Sequence, residues 1–516
     1  MPRWIAVCAL DDLEEDRGRE VWVNRRPLAL FLHRGRVHAL EDRCPHREGQ
    51  LSRGWVADGD AVCPLHCWNF DLETGISPYD LHDRVAVYPV AVRDGVVHVD
   101  ADAVPPLPEA VFAGYQGRFR RWRQDARGHY EVRRLAKGMG PAVEAMGSPR
   151  AGGPAPAAGL DRFHLRAAQL ARAPLLEDEP VSTEVVIGRG AARPLRLALP
   201  VYVSHMSFGA LSREAKIALA RGAAAAGTAI GSGEGGMLPE EREAAALYIL
   251  EMASGYFGWN EASLARADAV EIKLGQSAKP GLGGELPAAK VTEEISAVRG
   301  IAPGTPAHSP ARFPDIDGPE ALRARIAWIR ERTAGRIPVG IKLAANDPED
   351  VRAALALEPD FITVDGYGGG TGAAPVDVRD HFGMPLVQIL PVARELVDAH
   401  NAASARPVSL VATGGLCTPV DVIKALALGA DACALATAAL FAIGCEYYRA
   451  CNSGECPVGI ATQKPELRAR LDIATASERL AAFLDGSRRR IETYLRVMGR
   501  RSVAELGPED LIRIEA

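Results

Sequence analysis

The sequence predicts two unlike domains in one chain: a small all-β domain at the N-terminus, then an α/β domain closed as a (β/α)8 TIM barrel. Three observations carry this expectation. Up to about residue 103 apolar residues fall in short runs or alternation; beyond about 159 eight apolar strands are separated by helical or loop segments; the stretch between is rich in proline, glycine and arginine. At 516 residues the chain exceeds one ordinary core, although a barrel absorbs much of that length.

In the N-terminal domain, residues 1–103, the strand signals lie at 21–23, 29–32, 37–40 and 85–92, and Arg93-Asp94-Gly95-Val96 is a hairpin signal. Two matching pieces stand out within it, Cys44-Pro-His46 and Cys63-Pro-Leu-His66, with sixteen residues between His46 and Cys63. Two thiolates and two imidazoles are the ligand set of a 2Fe–2S centre in which each residue type holds one iron. A C2H2 zinc site uses the same residue types, but zinc fingers place both histidines at the far end of a helix, whereas here each loop supplies one Cys and one His. The segment resembles a Rieske ferredoxin domain through Trp68-Asn-Phe-Asp71 and Thr74-Gly75. The resemblance implies Cys44, His46, Cys63 and His66 as ligands of a 2Fe–2S cluster. Rieske proteins of respiratory complexes carry a further cysteine pair, and this chain has only Cys67 beside the second loop. The soluble ferredoxin or oxygenase type is therefore implied, toward the low end of the roughly −150 to +300 mV range.

The connecting segment, about 104–158, is proline-rich at its start and reads as a tether at 147–159. Its basic stretches, Arg118–Arg123 and Arg133-Arg134, suit a solvated helix face, or docking of an acidic electron carrier, which salt would weaken.

From 159 the barrel strands are expected at 201–204, 228–231, 247–253, 269–274, 339–343, 361–365, 409–412 and 432–436, with helices such as 214–226, 320–332 and 420–428 between them. Functional residues of this fold sit at the C-terminal strand ends. After the seventh strand comes Thr413-Gly414-Gly415, and Ala436-Thr437 opens a helix after the eighth, the usual phosphate position of the fold. Gly369, Gly370 and Thr371 follow the sixth. The three loops together point to flavin mononucleotide rather than a Rossmann-bound dinucleotide. Near the end, Cys445, Cys451 and Cys456 stand six and five residues apart. Such thiols suit zinc or an iron–sulfur cluster, or three core cysteines. Residues 466–516 read as helices packed on the barrel, with Leu480, Phe483, Leu484, Ile491 and Leu495 at helical spacing.

Residues 160 to about 465 resemble the FMN-binding synthase domain of glutamate synthases and their stand-alone relatives. The stretches that carry the likeness are Ser204-His-Met-Ser-Phe-Gly-Ala-Leu-Ser212, Ser232-Gly-Glu-Gly-Gly236, Glu271-Ile-Lys-Leu-Gly-Gln-Ser-Ala-Lys-Pro-Gly281, Gly369-Gly-Thr-Gly-Ala373 and the cysteine stretch. The resemblance implies that the three cysteines hold a 3Fe–4S cluster, and that Met206 and Ser207 lie at the flavin ring. It also implies that Glu234 sits where ammonia enters, and that Lys273, Gln276, Lys279 and Arg299 surround a 2-oxo acid. Cations suit a carboxylate substrate; Lys342, ending the fifth strand, reads either as a stabiliser of negative charge on a reduced flavin or as a surface or core-edge lysine. One departure is Glu285 in Gly283-Gly-Glu-Leu-Pro287, where glutamate synthases carry glutamine; a carboxylate there repels that of 2-oxoglutarate. The other is that a Rieske-like domain stands in place of the glutaminase domain.

The implied activity is an FMN- and iron–sulfur-dependent oxidoreductase of C–N bonds, with electrons passing between Rieske centre, 3Fe–4S cluster and FMN. Reductive amination of a 2-oxo acid and the reverse oxidation of an amine both fit, and an electron-carrier subunit is the non-catalytic rival. A Rieske oxygenase needs a mononuclear iron site, for which no convincing ligand set is visible. The expected partners are a small-molecule substrate (a 2-oxo acid with ammonium, or an amine), an electron-donor or acceptor protein, and an ammonia-supplying amidotransferase subunit. A net charge of −6 with no dominant basic block argues against nucleic-acid and anionic-membrane partners. The N-terminus lacks a secretory pattern and no apolar run approaches a membrane span, so a cytoplasmic location is expected. Nine cysteines, an odd number, suit ligation better than a disulfide framework.

Overall fold

The structure, a computed structural model, describes residues 2–46, 49–64, 67–78, 80–105, 129–138, 159–371, 374–447 and 451–514. The chain divides into two compact units, Met1–Asp125 and Ala126–Ala516. Among the described residues no helix is long and apolar enough to cross a membrane.

The first unit is built of short antiparallel strands. Gly18–Val23, Arg26–His33, Arg36–Glu41 and Val87–Tyr88 form one sheet in that spatial order, and Trp4–Ala9, Val96–Asp100 and Val90–Arg93 a second. Leu28, Leu30, Ala39, Val97 and Val99 form its fully buried centre. The hairpin expected at Asp94-Gly95 is present, with both residues at positive φ as a two-residue turn requires. The single strand expected over 85–92 is instead two. Pro89 has no N–H to give a ladder, and the chain changes sheets there: Val87 and Tyr88 pair with Leu40 and Ala39, whereas Val90 onward pairs with Val99. A third sheet, Trp55–Ala57, Asp60–Val62 and Asn69–Asp71, carries the second Cys-containing loop.

The second unit is a closed barrel of eight parallel strands: Val201–Val203, Ala229–Gly231, Leu247–Met252, Ala269–Lys273, Val339–Ala344, Phe361–Asp365, Ser409–Thr413 and Ala432–Leu435. Each lies within one residue of its sequence expectation. Side chains alternate inward and outward along each strand, so every second residue lines the interior. At the N-terminal end the interior is apolar, with Tyr202, Ala229, Ile249, Ala269, Phe361 and Ala432 in one cluster. Ile187, Leu195 and Leu197 join that cluster from a hairpin of Val185–Ile187 with Leu195–Leu197, which closes this end of the barrel. Two residues further along the strands come Glu251 and Glu271, and two beyond those Lys273, Lys342 and Asp365, so that the interior becomes charged toward the C-terminal end. The apolar floor and the charged layer together leave one end, the C-terminal mouth, for chemistry.

Outside the barrel, the helix Ile473–Met498 lies on Arg213–Ala225, where Leu480 fills the notch left by Gly222. A short helix, His129–Ala136, packs against Ile473–Met498 and Thr437–Ala442 through Val132 and Leu135. Its Arg133 was expected on a solvated face. It is instead largely buried and ion-paired with Glu446, next to Cys445, because the apolar face of the helix docks there and carries the arginine inward. Arg118–Arg123 lie outside the described residues.

Candidate active site at the barrel mouth

The loops after the first, second and fourth strands meet over an apolar pad of Phe208, Leu238, Leu286, Val291, Ile295 and Ala307. Four of the six come from the long excursion between the fourth and fifth strands, which includes the Glu285–Leu286/Ala307–His308 hairpin and the helix Glu293–Arg299. Burial of this pad is what holds the polar groups above it in register.

Glu234 and Lys273 form the centre of the site. Lys273 Nζ donates to Glu234 Oε2 at 2.6 Å, and Ser309 Oγ donates to Glu234 Oε1 at 3.0 Å. A Cβ on Gly284 would fall 1.5 Å from Glu234 Oε1, so glycine there makes room for the carboxylate. Burial acts to raise the Glu234 carboxyl, but Lys273, Lys279 and the Ser309 hydroxyl more than offset it and hold it at about 2. Burial works against charge on Lys273 as well; Glu251 and Glu234 outweigh it and raise its ammonium above the usual lysine range. Lys279 is buried, with Nζ on the Gly283 carbonyl at 2.6 Å, and its pKa is lowered first by burial and then by Lys273. Gln276 is half-buried and begins the turn that Lys279 ends.

Arg299 sits differently from the other four. Its Nε and a terminal nitrogen both donate to the Phe208 carbonyl, at 3.2 and 2.8 Å, and its guanidinium lies 5.2 Å over the Phe257 ring. Burial lowers it to about 10. It braces the loop that carries Met206 and Ser207. Lys216 holds that loop from below, donating to the Met206 carbonyl and, at 2.8 Å, to the Ser232 carbonyl. Glu285 is two-thirds exposed and 3.4 Å from His308 Nδ1, and its charge reaches Lys279. Lys342 is buried between Asp365, at 3.8 Å, and the neighbourhood of Glu271.

The loops after the sixth and seventh strands touch backbone to backbone. Gly414 and Gly415 have φ of 101° and 70°, and a Cβ on Gly414 would lie 2.1 Å from the Gly366 carbonyl oxygen. Only glycine permits that approach. Thr413 is paired with Ala434 across the seventh and eighth strands, which sets Gly414 and Gly415 beside Ala436 and Thr437. Gly370, Gly415 and Thr437 are exposed, while Gly369 and Thr371 are half-buried. These three loops form a glycine cradle at the mouth that fits a phosphate-bearing ring cofactor, with half-buried Met206 and Ser207 on the loop after the first strand, which pairs with the eighth. Gly372 and Ala373 lie outside the described residues.

The three C-terminal cysteines come together. Burial, then the neighbouring Cys451 and Cys456, push the Cys445 thiol well above its usual range; Cys456 is buried and Cys451 exposed. None of the nine cysteines is in a disulfide. Lys290 Nζ donates to the Cys451 carbonyl at 2.6 Å. Sequence reading missed this lysine, which lies 161 residues from its partner and carries no motif of its own. Three neighbouring thiols beside the buried Lys290 cation fit a metal cluster that holds them as thiolates.

In the first unit, Cys44, His46 and Cys63 are nearly fully buried, and the His46 ring stacks on Trp68 at 4.5 Å and 7°. The Cys44 N–H donates to Gly49 O and the Cys63 N–H to Trp68 O. Cys67 stands at φ 58° and returns its N–H to Cys63 O. The described donors, two thiols and an imidazole, fit a 2Fe–2S centre. His66 lies outside the described residues.

Fold and site together define a Rieske-like domain joined to a parallel barrel with paired charges at its mouth. A Rieske-like 2Fe–2S domain model matches residues 3–100, and the conserved region in glutamate synthase matches residues 162–501. The chain belongs to the glutamate synthase family. It is 40% identical over 322 residues to an archaeal glutamate synthase (NADPH) of Methanocaldococcus jannaschii, covering 62% of this chain and 63% of that one. Identity is 43% over 329 residues to an archaeal-type glutamate synthase (NADPH) of Thermotoga maritima, covering 62% and 64%. It is 39% over 352 residues to a glutamate synthase large subunit-like protein of Rhizobium meliloti, covering 64% and 79%. The matched region thus spans less than two thirds of the length of the first two relatives. Among solved structures, flavocytochrome b2 with benzoylformate superposes with a TM-score of 0.44 at 16% identity, covering 75% of this chain and 79% of that one.

Proposed function

We propose that the protein is an oxidoreductase of C–N bonds that holds FMN at the barrel mouth, a 3Fe–4S cluster on Cys445, Cys451 and Cys456, and a 2Fe–2S cluster on Cys44, His46, Cys63 and His66. The observation that carries this reading is the Glu234–Lys273 pair with Lys279 beside it, at the open end of a barrel of the glutamate synthase family. FMN, when bound, exchanges a hydride equivalent with carbon and single electrons with iron–sulfur centres. Gly414, Gly415, Ala436 and Thr437 would take its phosphate, with Gly369, Gly370 and Thr371 alongside, and Met206 and Ser207 would flank the ring.

The chain's own groups do the rest. Lys279 and Lys273 supply positive charge for the carboxylate and carbonyl oxygen of a 2-oxo acid, with Gln276 beside them as a hydrogen-bonding group. Glu234 and Lys273 hold and move a proton at the substrate nitrogen, since their 2.6 Å contact joins an acceptor to a donor. Arg299 fixes the loop rather than the substrate. Glu285, within reach of Lys279, disfavours a distal substrate carboxylate. Electrons would travel between an external partner protein and the flavin through the Rieske centre and the 3Fe–4S cluster.

Anaerobically purified protein is expected to contain one FMN and five iron atoms per chain, the two clusters' contents. Reduced flavin reoxidised by a 2-oxo acid plus ammonium indicates synthesis; oxidised flavin bleached by an amine indicates the reverse direction. Well-folded protein without FMN contradicts the proposal.

A further inference from the structure

Lys290 stands on the excursion between the fourth and fifth barrel strands, at the end of the single turn Ala288–Lys290, where its backbone N–H closes on the Pro287 carbonyl at 2.9 Å. Leu286 and Val291, before and after the turn, are buried in the apolar pad, so the backbone is anchored on both sides of the lysine. From there the side chain reaches the cysteine stretch. Its Nζ donates to the Cys451 carbonyl at 2.6 Å, and its Cε lies against Gly454, where a Cβ would come within 3.1 Å of it. Gly454 is held in turn by Thr462 Oγ1, which donates to its carbonyl at 2.6 Å. Lys290 is 7% exposed.

A buried ammonium needs an anion near it, because one carbonyl dipole does not replace the water it has lost. Among the described residues no carboxylate pairs with Lys290. The two carboxylates of the cysteine stretch have cations of their own: Glu446 is paired with Arg133 and Glu455 with Lys464. Burial opposes charge on Lys290, and the groups that favour it are Cys451 and Cys456. The anion that Lys290 faces is therefore the thiolate set itself, and thiolate is the form in which cysteine holds iron.

We propose that Lys290 is a positioning residue that supplies a fixed countercharge to the cluster on Cys445, Cys451 and Cys456 and thereby raises its reduction potential. The inference rests on the cluster assignment made under the proposed function. Reduction by one electron, taken from the flavin or from the Rieske centre, adds one negative charge to the cluster. A cation held beside it in a site of low dielectric favours that more negative state over the oxidised one, since net charge and hydrogen bonding set the potentials of such centres. The same excursion brings Gly284 and Ser309 to Glu234, so the residue that holds the countercharge belongs to the wall of the substrate site.

Potentiometric titration of the anaerobic full-length protein, followed by the electron-paramagnetic signal of the second cluster, tests this. Lys290→Met keeps the length of the stem and removes the charge. Iron content and the Rieske signal should persist. At a fixed applied potential the oxidised-to-reduced ratio of the second cluster should rise at least about tenfold, a fall in midpoint of about 59 mV for one electron. Lys290→Arg should restore most of that shift. A midpoint unmoved in Lys290→Met overturns the proposal, as does a midpoint in Lys290→Arg as low as that of Lys290→Met, which would make the shape of the lysine matter and not its charge. Where Lys290→Met and Lys290→Gln both lose the cluster, retention in Lys290→Arg at the parent midpoint supports the countercharge, and loss from all three variants overturns it. A parent protein with no second iron–sulfur signal removes the cluster assignment itself; a parent cluster indifferent to the charge at Lys290 removes this inference alone.

Discussion

At the scale of single residues, the site is held by charges whose signs work against one another, and acid should expose this. Glu234 is depressed from the ordinary carboxylate range to about 2. A depressed carboxylate stabilises the fold above its unfolded pKa, near 4.3, and that contribution fades as pH falls from there toward 2. Glu234→Gln should therefore lower the melting temperature at pH 7, by a free energy of up to about 3 kcal/mol, and the gap from the parent protein should close progressively below about pH 4. A gap that stays constant with pH would mean that packing against Gly284, and not charge, is what the glutamate supplies. Glu234, Lys273 and Lys279 were legible in the sequence because they stand inside short motifs. His205, Glu251 and Glu271 were not read as a unit: Glu251 sits within Leu247–Met252, a mostly apolar run, and only closure of the barrel brings the loop after the first strand and the third and fourth strands to one point. Arg299 was legible as a site residue, but its use as a brace on Phe208 depends on a loop folding back 91 residues in sequence.

At the scale of elements, strand positions were legible because apolar runs bounded by glycine, proline and charge leave little freedom in register. What escaped was anything fixed by a distant partner: the hairpin that closes the barrel floor, the switch of sheets at Pro89, and the inward face of the helix His129–Ala136. The contact between Arg213–Ala225 and Ile473–Met498 lets packing be weighed against propensity. Gly222→Ala gains about 1 kcal/mol of helix propensity, yet its Cβ would lie 2.7 Å from Leu480 Cβ. Overpacking of a filled core costs roughly 1–3 kcal/mol, so Gly222→Ala should be net destabilising in urea unfolding. The pair Gly222→Ala with Leu480→Ala should be more stable than the sum of the singles predicts. Strict additivity would show that the two helices yield at this point without strain.

At the scale of the molecule, each unit has its own hydrophobic core. Leu28, Leu30, Val97 and Val99 belong to a cluster separate from those of the barrel, and the division falls between Asp125 and Ala126. Separate cores mean that damage to one cofactor site need not propagate to the other. Cys63 is almost completely buried in the first unit and is one of two thiolate ligands proposed for the 2Fe–2S centre. Cys63→Ser should therefore abolish the Rieske electron-paramagnetic signal while the flavin absorbance and the signal of the second cluster persist. If electrons leave or enter through the Rieske centre, flavin should still be bleached or reoxidised by substrate at the parent rate in single turnover. Steady-state transfer to or from an external protein carrier should fall by at least tenfold, the ordinary consequence of removing an obligatory step rather than a binding contact. Undiminished transfer to the carrier would place its docking point on the barrel unit and leave the N-terminal centre off the electron path.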